Sequence, residues 1–86
     1  MTQKLSEPVT VEFISDGYTR RLLPKSVYWN GHLYPITKVG LRHTCRQGRT
    51  LFHVFSVLAQ TLYFRLSLNT DNLLWQLEEI SDGLPG

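Results

Sequence analysis

His43 and Cys45 lie two residues apart, so an extended backbone would put both side chains on one face. A three-residue turn after them would bring His53 opposite His43. His, Cys and His are ligands that Zn²⁺ accepts. No fourth ligand stands out beyond His32, so no metal centre is expected. The same residues could form a nucleophile and base, with Cys45 activated by Arg42 and Arg46 close in sequence. That chemistry needs a third, orienting group, and none is evident. His53 reads more simply as a core histidine whose ring nitrogens find partners. Glu78 and Glu79 are adjacent, so on a regular strand they point to opposite faces and cannot share a substrate. Gly40 and Gly48 are isolated and read as bends rather than as a phosphate-cradling loop. No catalytic residues and no cofactor are expected, and the chain does not read as an enzyme.

The cations are the other candidates. Arg20, Arg21, Lys25, Lys38, Arg42, Arg46, Arg49 and Arg65 all fall between residues 17 and 70, and no acid lies among them. The acids flank them, with Glu7, Glu12 and Asp16 before and Asp71, Glu78, Glu79 and Asp82 after. Two arrangements produce such a pattern. One is a basic binding face. The other is acidic terminal strands paired beside basic central ones, each pair contributing a few tenths of a kcal/mol. Tyr18, Tyr28, Trp29, Tyr34 and Tyr63 interleave with the cations, as in small barrels that stack single-stranded bases beside a cationic groove. Core packing is the competing role for those rings.

These side chains must be positioned by a small fold. At 86 residues the chain makes one domain, burying roughly 60–65% of its unfolded surface. Residues 1–7 and 82–86 are expected to be flexible ends. With 42% hydrophobic and 19% charged residues, the composition is that of a water-soluble globular protein. No apolar run approaches the ~18 residues of a membrane span. The opening MTQKLSEP lacks the apolar core of a secretory signal, and a single cysteine forms no internal disulfide. A reducing, cytoplasmic compartment is expected.

The strongest structural signal is Leu62 to Leu77. Leu62, Phe64, Leu66 and Leu68 alternate with polar residues, and Leu73, Trp75 and Leu77 resume that period after Asn69-Thr70-Asp71-Asn72. A four-residue loop would set Leu68 against Leu73, Leu66 against Trp75 and Phe64 against Leu77. Arg65 would then lie across from Gln76. The spacing of Leu51, Val54, Phe55 and Leu58 also fits a helical face, but β-branched and aromatic content argues for a strand there. A loop at Ala59-Gln60 would place Val57 opposite Leu62, Phe55 opposite Phe64 and Leu51 opposite Leu68, extending the same inward row.

Elsewhere, residues 9–14 read as the first strand, after Pro8. Ser15-Asp16-Gly17 reads as a turn, and a short extended piece over 18–23 is ended by Pro24. Asn30-Gly31 between alternating runs is a type I′ hairpin signal that pairs Trp29 with His32, Tyr28 with Leu33 and Val27 with Tyr34. Pro35 confines its strand to an edge or a bulge. Gly40 marks a bend before Leu41–Cys45, and Arg46-Gln47-Gly48-Arg49 a further turn. The sum is an all-β domain, a small antiparallel barrel or bent roll of about six strands in a mostly meander order.

Three fragments carry a family resemblance: Trp29-Asn30-Gly31-His32-Leu33-Tyr34-Pro35-Ile36, then Tyr63-Phe64-Arg65-Leu66, then Leu74-Trp75-Gln76-Leu77. Over residues 24–80 the chain resembles a small uncharacterised prokaryotic β-domain. Some relatives of that domain stand alone, and others accompany or extend Y-family, lesion-bypass DNA polymerases. Leu41 to Thr50 departs from that family's Trp/Arg-rich stretch. The resemblance implies strands at 51–58 and a non-enzymatic accessory role.

Two readings of function therefore stand side by side. In one, Arg20, Arg21, Lys25, Arg42, Arg46 and Arg49 bind nucleic acid. In the other, a sheet edge or an aromatic patch around Tyr28 and Leu33 binds a protein partner or a second copy of the chain. Neither involves a membrane.

Overall fold

The computed structural model describes residues 2–82, which form seven antiparallel strands. They are β1 (Thr2–Asp16), β2 (Arg21–Trp29), β3 (His32–Pro35), β4 (Lys38–Gln47), β5 (Thr50–Ala59), β6 (Leu62–Asn69) and β7 (Leu74–Ser81). The all-β expectation holds, with one strand more than expected. Residues 51–58 lie in β5, as the β-branched content indicates. The sheet order is β3-β2-β1-β7-β6-β5-β4. Two meanders, β1–β3 and β4–β7, are thus joined where β7 pairs with β1.

The first strand is much longer than residues 9–14. Its first half pairs with β7, from Thr2↔Ser81 to Val9↔Trp75, and its second half pairs with β2, from Thr10↔Tyr28 to Asp16↔Arg21. Residues 2–7, expected to be flexible, belong to this ladder. Their polarity is compatible with pairing because one face of the strand is exposed. Of the expected flexible end at 82–86, residues 83–86 lie outside the described residues.

The sheet curls on itself. Tyr34 of β3 and Phe64 of β6 are four places apart in sheet order, yet their ring centroids are 5.2 Å apart. Trp29 of β2 also meets Phe64, at 6.2 Å. Phe64, Leu66, Leu68, Leu77, Val27 and Val57 fill the concave side and are almost completely buried. At one end the curl is fastened by the link between β3 and β4. There the Ile36 amide donates to the Lys25 carbonyl at 2.8 Å and the Thr37 amide to the Leu58 carbonyl at 2.8 Å. The result is a half-closed barrel.

The Asn-Gly hairpin forms in the expected register, with Asn30 at φ 51° and Gly31 at φ 76°. Pro35 ends edge strand β3, where a missing donor leaves no ladder bond unmade. Pro24, by contrast, does not interrupt its strand. It sits beside a bulge, opposite Phe13, where the ladder is already irregular.

Two registers differ from expectation. Leu68 pairs with Trp75 and Leu66 with Leu77, while Phe55 pairs with Leu66 and Val57 with Phe64. Each is a slip of two residues, so the same apolar row still faces inward. The first slip has a local cause. Asn69 Oδ1 accepts from the Asp71 amide at 2.8 Å, Asn72 Oδ1 accepts from the Leu74 amide at 3.0 Å, and Leu73 takes φ 60°. The loop therefore consumes Leu73, which is exposed rather than inward. In the second, Gln60 takes φ 57° and the loop lies at Gln60-Thr61, so Ala59 meets Leu62.

Candidate anion-binding seam

β3 covers only Ser26–Trp29 of β2, so among the described residues the edge of β2 from Arg21 to Pro24 has no strand partner on that side. The outer edge of β4 likewise has no strand partner among the described residues, because β4 ends the sheet order. The curl brings these two edges together. Arg42 Nη1 donates to the Leu22 carbonyl at 3.4 Å, although β2 and β4 are five places apart in sheet order. Between them lies a cleft of about 450 Å³, lined by Arg20, Arg21, Leu22, Arg42, His43, Thr44, His53, Val54 and Phe55. Among the described residues its lining contains Arg20, Arg21 and Arg42, with His53 on the same inner face as Arg42, and no Asp or Glu.

Each cation is placed by a local device. Arg20 closes the turn between β1 and β2, at φ 58°, its amide donating to the Asp16 carbonyl at 2.8 Å. The Asp16 carboxylate accepts from the amides of Tyr18 at 2.9 Å and Thr19 at 3.4 Å. Those amide bonds favour the ionised form and lower its pKa below the usual carboxylate value. Asp16 thus spends its charge on the turn backbone. Arg42 follows a bulge at Gly40-Leu41, where a Cβ at Gly40 would come within 3.3 Å of the Ser56 carbonyl oxygen. The bulge resets the alternation so that Arg42 pairs with Phe55 and shares the inner face with it.

Of the six sequence-predicted residues, the cleft gathers Arg20, Arg21 and Arg42. Arg46 lies on the same face of β4 as Arg42, four residues on, paired with Leu51. Lys25 and Arg49 are exposed but do not line the cleft. Lys25 belongs to the β2 bulge, and Arg49 sits in the two-residue turn Gly48-Arg49. Arg65 is committed elsewhere, 3.7 Å from Glu79. Among the described residues, the guanidinium groups of Arg20 and Arg21 have no hydrogen-bond or ion-pair partner.

Thr44 and His53 were not expected at a cationic site. The two-residue turn pairs Thr44 with His53 and His43 with Val54. Gly48 was the sequence signal that could have found this, since a two-residue loop needs positive φ, and it takes φ 63° here. The same register separates the His43–Cys45–His53 constellation. His43 and Cys45 share the outer face of β4, whereas His53 faces inward beside Leu68. Among the described residues no three His, Cys, Asp or Glu side chains gather as a metal site. Cys45 is exposed on that outer face.

Glu78 and Glu79 also differ from expectation. A bulge between Arg65 and Leu66 pairs leaves Glu78 as the extra residue, so both carboxylates reach the outer face. There Ser67 Oγ donates to Glu78 Oε1 at 3.0 Å, and Arg65 meets Glu79. Both acids are thereby occupied by side-chain partners.

Of the interleaved aromatics, Trp29 and Tyr34 pack on Phe64 and belong to the core. Tyr28 and Leu33 face each other on the outside, 51% and 45% exposed. Tyr18 is fully exposed, in the same turn as Arg20. No helix among the described residues is long and apolar enough to cross a membrane. No family model, curated protein or solved structure matches the chain.

Proposed function

We propose that this domain is a non-enzymatic nucleic-acid-binding module of the cytoplasm that holds phosphate groups at the seam between β2 and β4. The observation that carries this reading is the convergence of Arg20, Arg21 and Arg42 on one cleft that no carboxylate among the described residues lines. Two of those guanidinium groups are uncommitted among the described residues. Planar guanidinium groups suit phosphate because they donate in pairs. The resemblance to β-domains that accompany lesion-bypass DNA polymerases fits an accessory role of this kind.

The test is a titration of labelled oligonucleotides by fluorescence anisotropy across a range of salt. Three phosphate contacts predict a slope of log K against log salt of about −2 to −3. Arg20→Ala with Arg21→Ala should flatten that slope by about 2. Absent or salt-insensitive binding rejects the reading.

The second reading is a protein-interaction module or homodimer, favoured by the exposed Tyr28–Leu33 pair and by the free edge of the ten-residue β4. Against the β4 edge stand the bulge at Gly40-Leu41 and the cations Lys38, Arg42 and Arg46, features that discourage edge pairing. Light scattering distinguishes the readings, since a strand-edge or patch dimer has twice the monomer mass.

A further inference from the structure

We infer, resting on the nucleic-acid reading above, that the seam takes a single strand in preference to a duplex, with Tyr18 as a stacking platform beside it. A duplex is read by elements that stand out from a protein and enter a groove, typically a helix or a two-stranded ribbon. Here the described residues hold no helix, and the three exposed cations border a cleft. Arg42 lies between two strand edges with Nη1 on the Leu22 carbonyl, and the cleft holds about 450 Å³. That is the scale of a small-ligand site and suits a backbone whose bases are free to splay.

Tyr18 supplies the second half of the inference. Its side chain is fully exposed and makes no ring contact among the described residues. Its backbone is nevertheless pinned, because the Asp16 carboxylate accepts from both the Tyr18 and Thr19 amides. The Arg20 amide closes the same turn onto the Asp16 carbonyl at 2.8 Å. An aromatic on a fixed backbone forfeits little conformational freedom when a base stacks on it. Arg20 and Arg21 follow directly and meet Arg42 at the cleft. Tyr18 precedes Arg20 by two residues in the same turn, so one nucleotide strand could place a base on the ring and a phosphate at the cleft.

The experiment measures anisotropy of fluorescein-labelled oligo-dT and of a duplex of equal length at low and at raised salt. It uses the full chain, Tyr18→Ala and Tyr18→Phe, with circular dichroism confirming the fold of each. The single strand is expected to bind about tenfold or more tightly than the duplex. Tyr18→Ala should weaken single-strand binding roughly 5- to 150-fold, the range of one lost stacked base. Duplex binding should be unchanged, and Tyr18→Phe should restore the single-strand affinity. Duplex binding as tight as single-strand binding, or a Tyr18→Ala variant with unaltered affinity, overturns the inference and leaves the phosphate reading standing. Salt-independent binding, or no binding of either probe, overturns both.

Discussion

Arg42 Nη1 meets the backbone carbonyl of Leu22 at 3.4 Å, joining the last strand of the sheet to the second across its open seam. The contact is long and partly exposed, so it contributes little to stability. A guanidinium with five donors spends one here and keeps the rest for a ligand. Arg42→Ala is therefore expected to reduce the salt slope of nucleic-acid binding by about 1 while changing unfolding free energy by less than about 0.5 kcal/mol. Anisotropy and urea denaturation on the same preparation check both numbers.

Gly31 and Gly17 make a matched pair for the turn chemistry. A Cβ at either would meet nothing within 4 Å, but only Gly31 has a positive φ, of 76°. Gly31→Ala is expected to destabilise the protein by about 1 kcal/mol through backbone strain alone. Gly17→Ala should cost nothing and can stabilise by a few tenths to about 1 kcal/mol, by narrowing the unfolded ensemble. Urea midpoints of the two variants measure the difference. Equal midpoints would remove the turn argument.

Phe64 is 1% exposed and meets the rings of Trp29 and Tyr34, so it ties β6 to β2 and β3 across the curl. Phe64→Ala should cost about 3–5 kcal/mol, a large part of the total stability of so small a chain. Phe64→Leu, which keeps much of the volume, should stay folded and lose less. Leu74→Ala, at a residue 65% exposed, is expected to change stability by less than about 0.5 kcal/mol. Denaturant unfolding followed by tryptophan fluorescence reads all three.

Asp16 gives a pH dependence of stated sign. The amides of Tyr18 and Thr19 hold its carboxyl below its ordinary value of 3.8. The unfolded chain therefore takes up this proton first as pH falls. The contribution is fully present above the ordinary value and is lost as pH falls through the lowered one. Asp16→Ala should melt below the parent at neutral pH, and the two melting curves should converge on acidification. Thermal scans from about pH 6 to about pH 2.5 test this. A gap that stays constant over that range would show that the turn does not depend on the carboxylate charge.

The local elements were legible because their signals are short-range. Asn30-Gly31 specified its turn and its register, since the type I′ conformation leaves no other pairing of Trp29 with His32. The alternation of Phe64, Leu66 and Leu68 specified a buried row, and a slip of two residues leaves that row on the same face. The slip itself was not legible. It depends on Asn69 and Asn72 capping particular amides and on Leu73 accepting a left-handed conformation, against its steric preference. The bulge at Glu78 was equally hidden, and it moved a carboxylate to the face that alternation had denied it.

By itself, the sequence determined the all-β class and most of the strands, the inward row and a reservoir of cations without acids between residues 17 and 70. These follow from residue type and a spacing of two, which act over a few positions of chain. Which cations meet was decided only by the tertiary structure. Arg21 and Arg42 are separated by the rest of β2, all of β3 and the first residues of β4, and they come together because the sheet curls far enough to bring β4 back to β2. That curl is set by bulges, by sheet twist and by the aromatic packing around Phe64. Those are many-body properties of the assembled sheet, which a two-residue period does not encode.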